Sequence, residues 1–189
     1  METPRKSFNK QGATMDTEKR LDTPTIMKYF TPLWYGEVLD DQLSHEETIK
    51  IRDSYWEYIE NISEQLSFPV RMLAKQINLH DAVVTKFSYN AKEKSIFLQA
   101  YGGDLQVGYF CLDCNYSGVK KYWNSLGESS SLIQMEILSD EIEILQPQCY
   151  SQKFLFVERN EMEIIFEDVS ISLCTIDPKD YLEALKKDE

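Results

Sequence analysis

The chain has 189 residues, of which 42% are hydrophobic and 12% aromatic, and its formal net charge at pH 7 is −12. This length and apolar content predict a folded domain with a sizeable core and exclude a chain that is disordered throughout. The acidic balance disfavours nucleic-acid binding, which needs clustered Lys and Arg, and it would speed encounter with a basic partner.

Residues 1–26 differ from the rest because they show no hydrophobic period. We expect a disordered leader or an appended segment there, with Met27 as an alternative initiator. A single α+β domain is predicted for 27–189, mainly helical over 27–78, mainly antiparallel sheet over 79–176, and helical again over 177–188. The sequence shows neither the apolar core of a secretory signal nor a membrane-length apolar run, so we expect a cytoplasmic protein with no membrane partner.

The first predicted helix spans residues 45–66. Ser44 and Glu47 have the spacing of a capping box, in which each side chain accepts a free backbone N–H at the helix start. Apolar residues then recur in steps of three and four, which predicts one buried stripe: Ile51, Tyr55, Ile59, Ile62 and Leu66. Pro69 marks the break, and a short second helix is predicted at 70–76.

From Asp81 the hydrophobic period changes to two, which predicts strands. They fall at 83–89, 95–101, 104–116, 132–138, 141–145, 152–158 and 161–173. Their short links require antiparallel neighbours. Shifts of phase at Gly108 and at Glu167-Asp168 predict bulges or bends. The predicted fold is therefore N-terminal helices packed on a curved antiparallel meander of about six to seven strands, followed by a C-terminal helix.

His80 and Asp81, in "INLHDAVV", form a candidate functional corner between the helices and the first strand. A general base or a metal ligand oriented by a carboxylate is one interpretation. The alternative, which we favour, is structural: Asp81 caps a turn and His80 satisfies a backbone carbonyl. Adjacent extended residues point to opposite faces, so Asp81 is not expected to contact the ring of His80.

The four cysteines are predicted to be reduced thiols in the core: Cys111, Cys114, Cys149 and Cys174. Cys111 and Cys114 have C-x-x-C spacing, but they lie in a predicted strand, where positions three apart face opposite ways. A zinc site is therefore not expected. The sequence carries no nucleotide-binding or nucleophile motif, and we predict no cofactor and no metal.

The long segment 117–131 is predicted to be a loop, and Tyr122 and Trp123 within it are candidate binding anchors. A short helical turn that folds Trp123 back over an open edge of the core is the alternative, which we favour. Alternation places four glutamates on a solvated polar face of the sheet, and we include them in the candidate interface: Glu141, Glu143, Glu161 and Glu163. A carboxylate-based, metal-dependent hydrolase assembled from such residues stays open as another interpretation.

The stretches "MKYFTPLWY", "LHDA" and "KFLFVERNEMEIIFEDVSI" resemble a family of bacterial cytosolic proteins that open Met-Lys-Tyr-Phe-Thr. The layout is also similar to that of small immunity proteins of bacterial toxin systems. The resemblance implies a non-enzymatic binding protein and no particular site. We therefore hypothesise an acidic protein-interaction protein, with an immunity protein that neutralises a basic toxin as one case. An enzyme and a small-ligand binding module are the alternatives.

Overall fold

The structure is a computed structural model that describes residues 25–39, 43–106, 108–127 and 131–186 of the chain. The predicted leader, apart from its last two residues, and the end of the predicted C-terminal helix lie outside the described residues. The α-helices found within them are α1, α2, α3 and α4, which span Pro32–Leu39, His45–Ile62, Phe68–Lys75 and Pro178–Ala184.

Helix α2 begins where its cap predicts. The Ser44 hydroxyl accepts the backbone N–H of Glu47, and the Glu47 carboxylate accepts the backbone N–H of Ser44. Tyr55 and Ile59 of the predicted stripe are buried. The helix is shorter than predicted because the chain tightens into the 3-10 helix Ser63–Gln65.

Eight strands form one antiparallel sheet within the described residues. In chain order, β1 to β8 span Ala82–Asn90, Ser95–Asp104, Gly108–Ser117, Lys121–Asn124, Glu136–Gln146, Cys149–Phe156, Glu161–Phe166 and Asp168–Ile176. Across the sheet the order is β4-β7-β6-β5-β1-β2-β3-β8. The predicted combination of antiparallel sheet and helices is confirmed. The predicted strand count is too low, and the strands do not form a single meander.

The difference in count has local causes. The predicted strands at 132–138 and 141–145 are one strand, β5, whose register shifts between Ile137 and Ser139. The strand predicted at 161–173 divides at Glu167 into β7 and β8, at the predicted bend.

Two further differences concern turns. Strand β4 lies inside the segment 117–131, which we predicted to be a loop. The phase change at Gly108 marks the hairpin between β2 and β3, where Asp104 pairs with Gly108, and is not the predicted bulge.

The sheet consists of two halves joined by a long ribbon. The first half-sheet contains β1, β2, β3 and β8, and the second contains β4, β7, β6 and β5. Strands β3 and β4 pair along β8 and β7 in one continuous ribbon, which bends where Gly118 lies beside Glu167. Gly118 has φ +62, and a Cβ there would lie 2.8 Å from the Glu167 Cβ, so the bend favours glycine.

The two halves also meet directly, where β1 pairs with β5 at two positions. Beyond that point helix α2 covers the edge of β5. The backbone N–H of Ile142 donates to the Tyr55 hydroxyl at 3.0 Å, and that of Ile144 donates to the Tyr58 hydroxyl at 3.3 Å. These hydroxyls satisfy edge groups that a further strand would otherwise bind.

The core lies between the inner faces of the two half-sheets, with α2 and α3 packed against it. Its largest fully buried side chains include Tyr116, Phe154, Phe156 and Phe166. The rings of Tyr116 and Phe166 meet edge to face at 4.9 Å between centroids. None of the helices in the described part of the chain is both long enough and apolar enough to span a membrane.

Candidate functional site

The glutamates predicted at the interface lie on the outer face of the second half-sheet. Glu141, Glu161 and Glu163 are 0%, 5% and 8% exposed, and the Glu143 side chain keeps 17% of its surface. The prediction that these four residues form an open polar face is wrong. The reason is tertiary: the N-terminal segment 25–30 lies across this face.

Glu141 and Glu161 hold the N-terminal segment. The Glu141 carboxylate accepts three consecutive backbone N–H groups from residues 28–30, at 2.9, 2.7 and 2.7 Å. The Glu161 carboxylate accepts the backbone N–H of Ile26 at 3.2 Å and the hydroxyl of Thr25. Hydrogen bonds to a carboxylate are the stronger kind, so two buried charges fix the path of the chain into α1.

The other two glutamates pair with lysines. Lys153 donates to Glu143, and Lys121 donates to Glu163 at 2.7 Å. Glu163 also accepts the Ser151 hydroxyl at 3.1 Å. These four glutamates are thus engaged in hydrogen bonds or ion pairs within the fold. Among the described residues, no group of three or more His, Cys, Asp or Glu is placed to hold a metal ion.

His80 and Asp81 lie at the corner between α3 and β1. The His80 Nδ1–H donates to the Leu138 carbonyl at 2.7 Å, which confirms the predicted carbonyl contact. His80 Nε2 lies 3.4 Å from an Asp81 oxygen, a contact that we expected to be absent. Asp81 reaches the ring because its φ of +63 is left-handed and not extended. The side chain that caps this turn is Asn78, not Asp81.

Tyr122 and Trp123 lie on the edge strand β4, not in a loop, and both are half-buried. The Tyr122 ring packs against Phe87 and Tyr89, at 5.3 and 5.2 Å between centroids. With Trp123 these rings line a cleft of about 590 Å³, which we call the edge cleft. Whether a partner uses the edge cleft stays a prediction.

The C-x-x-C pair lies in strand β3, as expected, and Cys111 and Cys114 are both buried. Burial raises the pKa of the Cys111 thiol to about 11 and that of Cys114 to about 12, so both stay protonated at neutral pH. Cys149 is buried as well. Cys174 is exposed, so the expectation of a core thiol is wrong at that position.

The feature best suited to binding is a cavity of about 590 Å³ between helices α1, α2 and α3 and strand β5, which we call the aromatic cavity. Five aromatic rings in its wall touch in sequence, with centroids 5.1 to 6.0 Å apart: Tyr35, Trp34, Phe30, Tyr55 and Trp56. Helix α1 and the segment before it bring the first three, and α2 brings the other two. The wall therefore depends on the N-terminal segment that Glu141 anchors.

Polar and charged side chains also line the cavity: Thr48, Arg52, Lys75, Gln76, Asn78, His80, Ser139 and Asp140. The indole N–H of Trp34 is buried and has no hydrogen-bond partner within the described residues. Asp140 lies in the wall on the sheet side. Its carboxylate accepts the Gln152 amide N–H at 2.9 Å, and Gln152 in turn accepts the Tyr116 hydroxyl at 2.8 Å. His80 lines the mouth near the corner.

Burial raises the pKa of the Asp140 carboxyl to about 7, against an ordinary value of 3.8. The Gln152 amide favours the charged form, but the charge of Glu141 acts in the same direction as burial. A carboxyl group with a raised pKa inside a concave site is a recognised mark of a functional position.

The sequence carried two signals for the aromatic cavity that our predictions did not use. Residues 29–35, "YFTPLWY", contain four aromatic residues in a single short stretch, and three of them line the cavity: Phe30, Trp34 and Tyr35. Asp140 also shares the parity of Ile142 and Ile144, so alternation placed this carboxylate on the apolar side of β5. Neither signal says that the two stretches meet.

Comparison with known proteins adds one structural likeness. No family model matches the chain, and no curated protein matches it. The chain is similar to the crystal structure of an uncharacterized protein from Neisseria gonorrhoeae at a TM-score of 0.37 and 12% identity, over 50% of this chain and 93% of that one. The site is therefore interpreted from its own geometry.

Proposed function

We propose that this protein binds a small organic molecule in the aromatic cavity. The observation that carries the proposal is the run of five contacting aromatic rings around about 590 Å³ of space. Small-molecule sites are concave, mostly apolar, and furnished with a few polar groups that orient the ligand. The aromatic cavity is concave and combines its aromatic rings with polar groups, among which the Asp140 carboxyl group can act as an acceptor.

The anchoring of the wall supports the same proposal. A ligand loses less affinity to ordering when its site is formed in advance. The three hydrogen bonds from residues 28–30 to Glu141 hold Phe30 beside Tyr55, whose hydroxyl is itself bonded to β5. Both sides of the cavity are thus attached to the same strand.

The tryptophans provide the test. The chain has three, of which Trp34 and Trp56 line the aromatic cavity and Trp123 lines the edge cleft. Titration with a set of soluble aromatic and heteroaromatic fragments should change the tryptophan emission of the wild type and of Trp123→Phe. The change should shrink in Trp34→Phe and in Trp56→Phe. A response that is lost only in Trp123→Phe would place binding at the edge cleft and overturn the proposal.

A protein partner is the second candidate, and the edge cleft favours it. Strand β4 ends the sheet, so among the described strands its outer edge has no neighbour, and Trp123 lies beside it. The net charge of −12 suits a basic partner. In this second proposal the protein works in the bacterial cytoplasm, and a toxin-neutralising immunity protein is one case. Because Glu141, Glu161 and Glu163 are buried and Glu143 is mostly covered, this second proposal leaves the four glutamates out of the interface.

Binding kinetics test this second candidate once a pull-down has yielded a basic partner. Higher salt should slow association, because screening shortens the reach of the acidic surface. Trp123→Ala should mainly speed dissociation, whereas Trp56→Ala, which removes a half-exposed tryptophan elsewhere, should leave both rates unchanged. Association that is insensitive to salt, together with an unaltered Trp123→Ala variant, would exclude the edge cleft as the interface.

A further inference from the structure

Around the aromatic cavity, the basic side chains form ion pairs, whereas the Asp140 carboxyl group forms none among the described residues. Arg52 in the wall pairs with Asp53 at 3.7 Å, and Lys75 pairs with Glu60 at 2.8 Å. Each base at the mouth therefore already has an acidic neighbour. These exposed pairs are weak in themselves, but an anionic ligand would also meet the field of a protein that is strongly acidic overall.

The Asp140 carboxyl group, on the sheet side of the cavity, has no ion-pair partner of this kind among the described residues. The Asp140 carboxylate accepts a hydrogen bond from the neutral amide of Gln152. The titratable groups that act on it from the packed elements are acidic or phenolic: Tyr55 of α2, Cys114 and Tyr116 of β3, and Glu141 of β5. Among the described residues, no cationic side chain forms an ion pair with Asp140.

The rings provide the second part of the argument. An aromatic face carries the negative part of the ring quadrupole, so clustered Trp, Tyr and Phe rings attract an organic cation more than a neutral molecule of the same shape. Phe30 and Tyr55 meet at 72°, so their faces do not stack on one another. An aromatic wall with one uncompensated carboxyl group is the usual chemistry of an ammonium site.

From this arrangement we infer that the ligand of the aromatic cavity is an organic cation, an amine or quaternary ammonium with an apolar body, whose charge is balanced by Asp140. This inference rests on the proposed small-ligand function and adds the chemical class of the ligand. The burial that raises the pKa of Asp140 to about 7 fits the inference, since a bound cation would supply a counter-charge to the Asp140 carboxylate.

The experiment uses three probes of similar size: benzyltrimethylammonium, its uncharged carbon analogue neopentylbenzene, and phenylacetate. Titration of the full chain at pH 8, followed by tryptophan emission and calorimetry, should show the cation binding at least tenfold more tightly than the other two. Its affinity should fall as the pH is lowered from 8 to 6, because Asp140 becomes protonated and the quaternary ammonium cannot titrate. The neutral probe should bind equally at both pH values.

Two matched variants complete the test. Asp140→Asn keeps the shape of the side chain and should remove the preference for the cation and its pH dependence. Asp81→Asn, at the nearby exposed corner, should leave both unchanged.

The outcomes separate the two proposals. If the neutral or the anionic probe binds the cavity as tightly as the cation, or if Asp140→Asn keeps the preference, the cation inference is wrong and the small-ligand function stands. If none of the probes binds up to millimolar concentration, both are overturned.

Discussion

The two half-sheets carry similar alternating patterns, yet their outer faces have different surroundings. On β8, the edge strand of the first half, Ser170, Ser172 and Cys174 are exposed on the outer side, although Gln99 of β2 is buried on that side. On β6 of the second half, Ser151 and Lys153 are buried on the outer side. The difference shows that alternation identifies the two faces of a strand, whereas a segment distant in sequence decides which polar face meets water.

The charges on the two outer faces follow from this difference. The outer face of the second half-sheet, which we call the closed face, holds glutamates that accept hydrogen bonds from backbone N–H groups and from lysines. The first half-sheet satisfies its outer polar groups with neutral side chains nearby, as where the Gln99 amide donates to Asp113 at 2.8 Å. Loss of a charged group should therefore lower the free energy of unfolding strongly on the closed face. It should change it little on the outer face of the first half-sheet, which we call the open face.

The largest effect is expected at Glu141. Glu141→Gln removes the charge that accepts three backbone N–H groups, so the free energy of unfolding should fall by about 3 kcal/mol. Urea denaturation followed by circular dichroism measures this change. Asp168→Asn, an exposed carboxylate on β8, is the matched control and should change stability by less than about 0.5 kcal/mol. Equal effects of the two variants would contradict the distinction between the faces.

A smaller loss of stability is expected at the ion pair between Lys153 and Glu143. Lys153→Met leaves Glu143 with the more distant Lys28 ammonium at 3.7 Å, and we expect a loss of about 2 kcal/mol, below that of a fully buried pair because Glu143 keeps some solvent contact. Lys179→Met, which breaks an exposed contact with Glu183 at 3.8 Å, should cost almost nothing. The same urea titration compares the two, and a Lys153→Met variant as stable as the control would show that the pair contributes nothing.

Asp140 should make the protein less stable as the pH rises, whereas a carboxylate with a lowered pKa makes a protein more stable. Its pKa is raised to about 7 in the folded state, above that of the unfolded chain, so the folded state binds the proton more tightly. The Asp140 contribution to stability should fall as the pH rises from about 4 to about 7 and stay level above that. Its surroundings are the acidic and phenolic groups named above, with no cation among the described residues in an ion pair with it.

Asp140→Asn should remove this contribution. At pH 8 the variant should be more stable than the wild type by about 1 to 2 kcal/mol, and near pH 4 the difference should vanish. Thermal unfolding across this pH range measures both values. Parallel stability curves for the two proteins would mean that Asp140 titrates normally.

The smallest effect on stability is expected at Cys174, on the open face. Its exposed thiol should react with Ellman's reagent in the native state, at about one fast thiol per chain, while Cys111, Cys114 and Cys149 react slowly because they are buried. Cys174→Ser should abolish the fast phase and change stability by less than about 0.5 kcal/mol. A fast phase that persists in this variant would show that another thiol is accessible.

Local patterns determined much of the fold without tertiary information. The start of α2 follows from Ser44 and Glu47, whose capping bonds need only neighbouring residues. The antiparallel pairing follows from short links, and the inward side of each strand follows from its parity. The missed strand β4 had no such signal, because its four residues pair with a strand about forty positions away.

The candidate site depended on tertiary structure at each step. The sequence by itself determined that residues 28–35 are rich in aromatic side chains, that Glu141 lies on a polar face, and that Asp140 lies on the apolar side of the same strand. Only the tertiary structure brings residues 28–30 onto Glu141, over a sequence separation of 111 to 113 residues. The same packing places Phe30 in one cavity wall with Asp140. Hydrophobicity and periodicity describe which side of an element avoids water, but contacts between distant segments also depend on shape and on the pairing of buried charges. For this reason the sequence predicted an open polar face at Glu141, whereas in the fold Glu141 anchors the segment that forms one wall of the aromatic cavity.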